Sequence, residues 1–230
     1  MRNTAPDYDD PNTPAMLEYL GEIYRLAYDD RAPDAVTTSA IADRLNVSPP
    51  AAVKMMQKLA QMGYLERRPY KGVQLTPKGE ALALRNIRRH RLVEAFLVRV
   101  MKFGWHEVHD YAHQLEPSLD ERLEDRMDEL AGFPTRCPHG DPIPTRDGKM
   151  PILNDMPLAD FPLEQTGVIG RIKTRQTEKL LYLAEHQIVP GKPFVLAGRA
   201  PFGGPVRLTI DNNDIVVGSE LAAEIYVEPA

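Results

Sequence analysis

The sequence has one cysteine, Cys137, one tryptophan, and no apolar stretch approaching the roughly 20 residues that span a bilayer. A lone cysteine excludes an internal disulfide and fits a reducing compartment. The polar start, residues 1–10, shows neither the basic region nor the apolar stretch of a secretory signal, so the cytoplasm is the expected location and no membrane partner is expected. Overall positive charge is missing too: 28 Lys and Arg stand against 33 Asp and Glu, a net charge of −5. Taken alone, that balance argues against a nucleic-acid partner. The average conceals a local reversal. Residues 35–91 carry 11 basic side chains and only 3 acidic ones, a local excess of +8. A basic segment on an acidic chain is the footprint of a confined phosphate-binding surface.

With 230 residues, 43% of them hydrophobic, the chain can bury more than one core. Leu17, Leu20 and Tyr24 at helical spacing predict a first helix over residues 11–30. A short helix over 39–45 follows. Ser48 and Pro49 start a third, because the serine hydroxyl caps free amides and proline is tolerated in the first turn; it runs to about Met62, and Gly63 ends it. Residues 64–67 and 73–75 read as a strand pair around Lys71-Gly72, and Thr76-Pro77 opens a long helix to about Met101. Helix, turn, helix, hairpin, helix is the winged-helix order. Shorter helices are expected over 107–116 and 118–130, then a partly ordered connector over 134–162, dense in Pro and Asp. Five short β-rich runs, 168–172, 194–197, 206–210, 214–217 and 223–227, suggest a small five-stranded barrel.

On the third helix Ala52, Met56 and Leu59 share one face, while Ala51, Lys54 and Lys58 lie nearly opposite. The first face packs; the second is free to enter a groove. Small residues at the N-terminal end, Ser48, Pro50 and Ala51, permit close approach to base edges, and Lys54 and Lys58 reach phosphates. Arg67, Arg68 and Lys71 stand on the expected wing, and Thr38 and Ser39 at the start of the preceding helix complete the candidate DNA-binding set.

A second constellation follows. His90 and Glu94 are four residues apart on the long helix, and His109, His113 and Glu116 recur at i, i+4 and i+7 on the next. One His-x-x-x-Glu pair is an ordinary solvated pair. Two facing stripes offering three imidazoles and two carboxylates are a ligand set for one or two divalent ions.

Three stretches carry a family resemblance: residues 40–79 with NVSPPAAVKMMQKL and VQLTPKGE, the helix segment RRHRLVEAFL, and CPHGDPIP at 137–144. The chain resembles the diphtheria toxin repressor family of metal-dependent regulators, which includes the manganese transport regulators. The resemblance implies a mainly α protein with a small β domain: a winged-helix DNA-binding domain over 1–76, a helical dimerisation and metal-binding domain over 77–145, a proline-rich connector over 146–162, and an SH3-like, FeoA-like barrel over 163–230. It implies an ancillary metal site of His90, Glu94 and His109, with Arg91 and Asp141 near the family's anion and connector contacts, and a primary site of Glu18, His113 and Glu116. Glu22 is a weaker first-helix candidate. Pro117 stands where the family usually has a further histidine ligand, and residues 170–174 lack the carboxylate that the barrel strand supplies in iron-responding members; Gln176 or Glu178 are the nearby substitutes. Sulfur is missing from these positions, and a carboxylate and imidazole set suits Mn²⁺ better than a set with thiolate and thioether, with Fe²⁺ or another divalent transition metal as alternative.

The implied function is a homodimeric, metal-dependent repressor that binds double-stranded operator DNA and controls metal-uptake genes. Two rivals come from other classes. One is a metallohydrolase built on the same histidines and glutamates; the other is a winged-helix regulator sensing an organic ligand.

Overall fold

The computed structural model describes residues 13–29, 35–68 and 70–230. The chain divides into two compact units, Met1–Arg88 with Pro144–Lys149, and Arg89–Ile143 with Met150–Ala230.

In the first unit α1 (Pro14–Tyr24) continues into one wide π-type turn, Arg25–Asp29. Thr37 caps α2 (Thr38–Arg44), its hydroxyl accepting from Ala40 N at 3.2 Å, and Ser48 caps α3 (Pro49–Gln61), accepting from Ala51 N at 3.4 Å. Ala52, Met56 and Leu59 of α3 are buried, as are Met16, Leu20 and Ile23 of α1 and Ile41 of α2. Strands β1 (Leu65–Arg68) and β2 (Gly72–Leu75) form the antiparallel wing, Leu65 opposite Leu75 and Arg68 opposite Gly72. Helix α4 (Pro77–Arg99) follows. At its first turn the backbone of Tyr64 comes so close that a Cβ on Gly79 would lie 2.1 Å from the Tyr64 carbonyl oxygen.

The second unit takes the remainder of α4, then α5 (Val108–Leu115) and α6 (Glu121–Leu130), packed through Val93, Leu97, Val108, Ala112 and Leu119. Its C-terminal part is a six-stranded antiparallel sheet in the order β3-β8-β4-β5-β6-β7: β3 (Met156–Pro157), β4 (Thr166–Ile172), β5 (Pro193–Arg199), β6 (Val206–Ile210), β7 (Asn213–Val217) and β8 (Ile225–Pro229). Helices α7 (Thr177–Glu185) and α8 (Ser219–Ala223) accompany it, and Leu180, Leu183 and Ala222 join a core with Phe161, Ile169, Phe194, Leu208 and Val227.

Four expectations are corrected. The first helix is α-helical only from Pro14 to Tyr24 and reaches Asp29 as a π-type turn; residues 11, 12 and 30 of its expected span lie outside the described residues. The helix expected from 118 starts at Glu121, because Asp120 is the actual cap, accepting from Leu123 N at 2.8 Å, while residues 116–118 form a 3₁₀ turn around Pro117. The sheet has six strands and two helices in place of five strands. Residues 134–162, expected as a partly ordered connector, hold strand β3 and a 3₁₀ turn, Leu158–Asp160, and their first part is packed: Cys137 and residues 139–144 are buried. Proline removes backbone donors there, and specific side chains satisfy the carbonyls instead, as Arg91 does for Pro142 O at 2.6 Å.

Candidate metal centre and nucleic-acid interface

Position four along a helix places Glu94 one turn beyond His90, and both side chains are buried on α4. Their neighbours are ligand-type groups. His90 Nε2 lies 3.2 Å from Glu94 Oε1 and 3.1 Å from His109 Nδ1, and its Nδ1 lies 2.9 Å from Glu116 Oε2. His109 Nδ1 is 3.3 Å from the same Glu94 oxygen, and His113 Nδ1 is 3.6 Å from Glu116 Oε1. The three imidazoles each offer a nitrogen within 4.8 Å of the others. The structure thus brings together His90, Glu94, His109, His113 and Glu116.

Glu94 has a second set of neighbours that the sequence reading did not assign. Its other oxygen, Oε2, lies 3.5 Å from His139 Nδ1, and Cys137 Sγ lies 3.9 Å from that nitrogen. Glu94, Cys137 and His139 are all buried, with one ligand atom of each within 4.8 Å of the others. His139 Nε2 donates to the carbonyl of Trp105 at 2.9 Å, which in the neutral ring leaves Nδ1 as the lone-pair nitrogen. The signal was available: a thiol and an imidazole two residues apart in a Pro- and Gly-bearing loop are metal-ligand types at close spacing.

Electrostatics agree with a cation-seeking pocket. Burial opposes charge on His90, yet Glu94 and a hydrogen bond with Glu116 raise its pKa above the ordinary histidine value. Burial would lift Glu94, but the His90 charge and hydrogen bonds from His109 and His90 hold it well below the usual carboxylate range. Glu116 is held down to about 2, burial being outweighed by its bonds to His113 and His90. Burial, then Glu94 and Asp141, push the Cys137 thiol well up. Carboxylates, imidazoles and a thiol converging on the buried Glu94 carboxylate are a donor set that fits a divalent transition metal.

Other candidates lie elsewhere in the chain. Glu18 is exposed on α1, in the first unit. Glu22 is held by Arg25 and by Arg44 Nε at 2.9 Å, so its carboxylate is already satisfied. Gln176 and Glu178 are exposed and outside both clusters.

On the winged helix, Ser48, Pro50, Ala51, Lys54 and Lys58 are exposed along α3, opposite its buried face, with Ser39 exposed and Thr38 half-buried at the start of α2. Arg67, Arg68 and Lys71 are exposed on the wing; Arg68 Nε donates to Gln74 Oε1 at 2.7 Å, which steadies it. A groove of about 430 Å³ between α3 and the wing is lined by Thr38, Val53, Met56, Arg67, Arg68 and Tyr70, among others.

Residues 13–73 match the iron dependent repressor N-terminal DNA binding domain, 76–145 the iron dependent repressor metal binding and dimerisation domain, and 156–229 the FeoA domain. A solved manganese-dependent transcriptional repressor in complex with manganese shares 34% identity over 94% of this chain and 100% of its own, with a TM-score of 0.85. The chain belongs to the iron-dependent repressor family. Among curated members, it is 33% identical over 126 residues to the diphtheria toxin repressor of Corynebacterium efficiens, covering 55% of this chain and 54% of that one. It is 36% identical over 118 residues to the regulator MntR of Lysinibacillus sphaericus, covering 51% of this chain and 82% of that one. The match thus spans about half the length of the diphtheria toxin repressor. The family's architecture of a winged-helix domain, a helical metal-binding domain and an SH3-like FeoA domain is the one described above.

Proposed function

We propose that this chain is a metal-dependent transcriptional repressor that binds double-stranded operator DNA as a homodimer, with Mn²⁺ as the activating ion. The observation that carries the reading is the buried Glu94 carboxylate, shared between two sets of ligand-type side chains in a chain whose other unit exposes a basic recognition helix and wing. A bound divalent cation would supply positive charge between the buried Glu94 and the half-buried Glu116. His90, His109 and His113 offer imidazoles, Glu94 and Glu116 carboxylates, and this set contains no sulfur, which favours Mn²⁺ or Fe²⁺ over softer ions. Glu18 keeps the ligand role that the resemblance implies as part of this proposal. In the DNA-reading unit, Lys54, Lys58, Arg67 and Lys71 offer charge to phosphates, while Pro50 and Ala51 allow α3 to approach base edges. The relatives are named as repressors or regulators, which favours a regulator over a hydrolase.

The test is selection of a duplex from a random pool long enough for two half-sites about one helical turn apart, followed by titration with Mn²⁺, Fe²⁺ and Zn²⁺ alongside metal stoichiometry. Binding that rises with metal and vanishes on chelation supports the reading; binding unchanged by chelation sinks it. Glu18→Ala, assayed for both quantities on one sample, tests the α1 ligand: DNA affinity equal to wild type at saturating Mn²⁺ removes Glu18 from the set.

A further inference from the structure

We infer that the C-terminal sheet domain controls occupancy of the Glu94, Cys137 and His139 set by clamping the loop that carries two of its three ligands, while donating no ligand itself. This rests on the reading of that set as a metal centre. The two ligand sets are anchored differently. His90, His109 and His113 stand on α4 and α5, whereas Cys137 and His139 stand on a loop with no regular structure of its own.

That loop is a tight turn, Cys137 N donating to Asp141 O and Gly140 N to Cys137 O, both at 2.9 Å. It lies directly on β4: Ile172 N donates to His139 O at 2.8 Å. Gly140 has φ +90, and a Cβ there would stand 2.1 Å from the carbonyl oxygen of Gly170, so loop and strand meet backbone to backbone. The buried carboxylate of Asp141 then acts as a bolt. Arg175 binds its Oδ2, Arg171 lies 3.7 Å and Arg91 4.0 Å from its Oδ1. Two of these three guanidiniums come from the sheet domain. Arg136, beside Cys137, reaches the same domain at Glu228, 2.6 Å away.

The segment after β4 that faces the loop supplies no carboxylate. Thr174 and Arg175 occupy it, while Gln176 and Glu178 are exposed. The domain's contribution is therefore geometric: with the bolt drawn, Cys137 and His139 leave Glu94, and Glu94 stays on its helix with His90 and His109. Arg175 is a positioning residue in this account.

The full-length chain loaded with Co²⁺ tests it, since a thiolate bound to cobalt gives a near-ultraviolet charge-transfer band and Cys137 is the sole cysteine. Arg175→Met keeps the length of the side chain without its charge, and Arg175→Lys restores a cation. The expected result is a roughly ten- to hundred-fold weaker sulfur-ligated Co²⁺ site in Arg175→Met, as when a supporting partner of a ligand is removed, with the sulfur-free equivalent retained and partial recovery in Arg175→Lys. In metal-free protein, iodoacetamide should alkylate the buried Cys137 faster in Arg175→Met than in wild type. A wild-type band at wild-type affinity in Arg175→Met, with unchanged alkylation, overturns the clamp and leaves the metal reading intact. A wild-type chain that binds Co²⁺ with no sulfur band overturns both for this set. If Arg175→Met does not fold, Gly140→Ala, which lifts the loop from β4, carries the same expectations.

Discussion

Glu94 Oε2 lies 3.5 Å from His139 Nδ1, while Oε1 of the same carboxylate is within 3.3 Å of both His90 and His109. One side chain therefore joins the two ligand sets. Glu94→Gln keeps the shape and removes the charge, and is expected to weaken both metal equivalents at least about tenfold. His113→Ala, in the first set alone, should weaken one. Equilibrium dialysis with Mn²⁺ and Co²⁺ measures this, and an unaltered second equivalent in Glu94→Gln would show that the sets are independent.

Lys54 and Lys71 are exposed on α3 and on the wing, and among the described residues neither pairs with an acid. Each phosphate neutralised contributes about 0.9 to the slope of log affinity against log salt. Lys54→Ala and Lys71→Ala should each lower that slope by about one. A slope equal to wild type in both variants removes them from the interface.

Acid sensitivity of the DNA-reading unit follows from Glu22, which ties α1 to α2 through Arg44 and also binds Arg25. Burial would raise its pKa, but the two arginines hold it below the ordinary carboxylate value of 4.5. A lowered folded-state pKa means stability that is present above 4.5 and lost as pH falls through the folded value. Glu22→Gln should be less stable at pH 7 by roughly 1.5–3 kcal/mol, the range for hydrogen bonds to charged groups. The gap should close below pH 4.5, as the wild-type carboxyl protonates and comes to resemble the amide. Thermal melts at the two pH values decide it; a gap that is constant with pH contradicts the assignment.

Gly79→Ala sets two effects against each other. Alanine gains about 1 kcal/mol of helix propensity over glycine, but its Cβ would meet the Tyr64 carbonyl at 2.1 Å, and backbone cannot rotate away. Overpacking of this kind costs about 1–3 kcal/mol and more when backbone must shift. The clash wins, and Gly79→Ala is expected to melt at lower temperature than wild type. An equal or higher melting temperature would show that α4 can slide at its first turn.

The helical half of the molecule and the histidine stripes were readable in the sequence because helical period and caps are local. His90, Glu94, His109, His113 and Glu116 fall on faces set by spacing alone, and Ser48 with Pro49 marks the start of α3 directly. What local pattern could not supply was the partner across the chain. Cys137 and His139 meet Glu94 only because the loop folds back over more than 40 residues of sequence, so the motif was visible while its role was not. Helix α7 was hidden differently: Leu180 and Leu183 at helical spacing are buried on one face, but they sit between strands in a region read for alternation. The arginines around Glu22 could not be seen from the first helix alone, since Arg44 comes from the second.

Trp105 stacks on His139 at 5.7 Å between ring centroids, and its buried indole Nε1 has no hydrogen-bond partner among the described residues. Because it is the chain's only tryptophan, all indole fluorescence originates beside the Cys137 loop. An unbonded indole in a dry setting emits at short wavelength, whereas water reaching Nε1 moves emission to the red and a charged or metal-bound imidazole against the ring dims it. The protein thus carries a built-in dye at one point, able to follow the seating of that loop in real time and without any label.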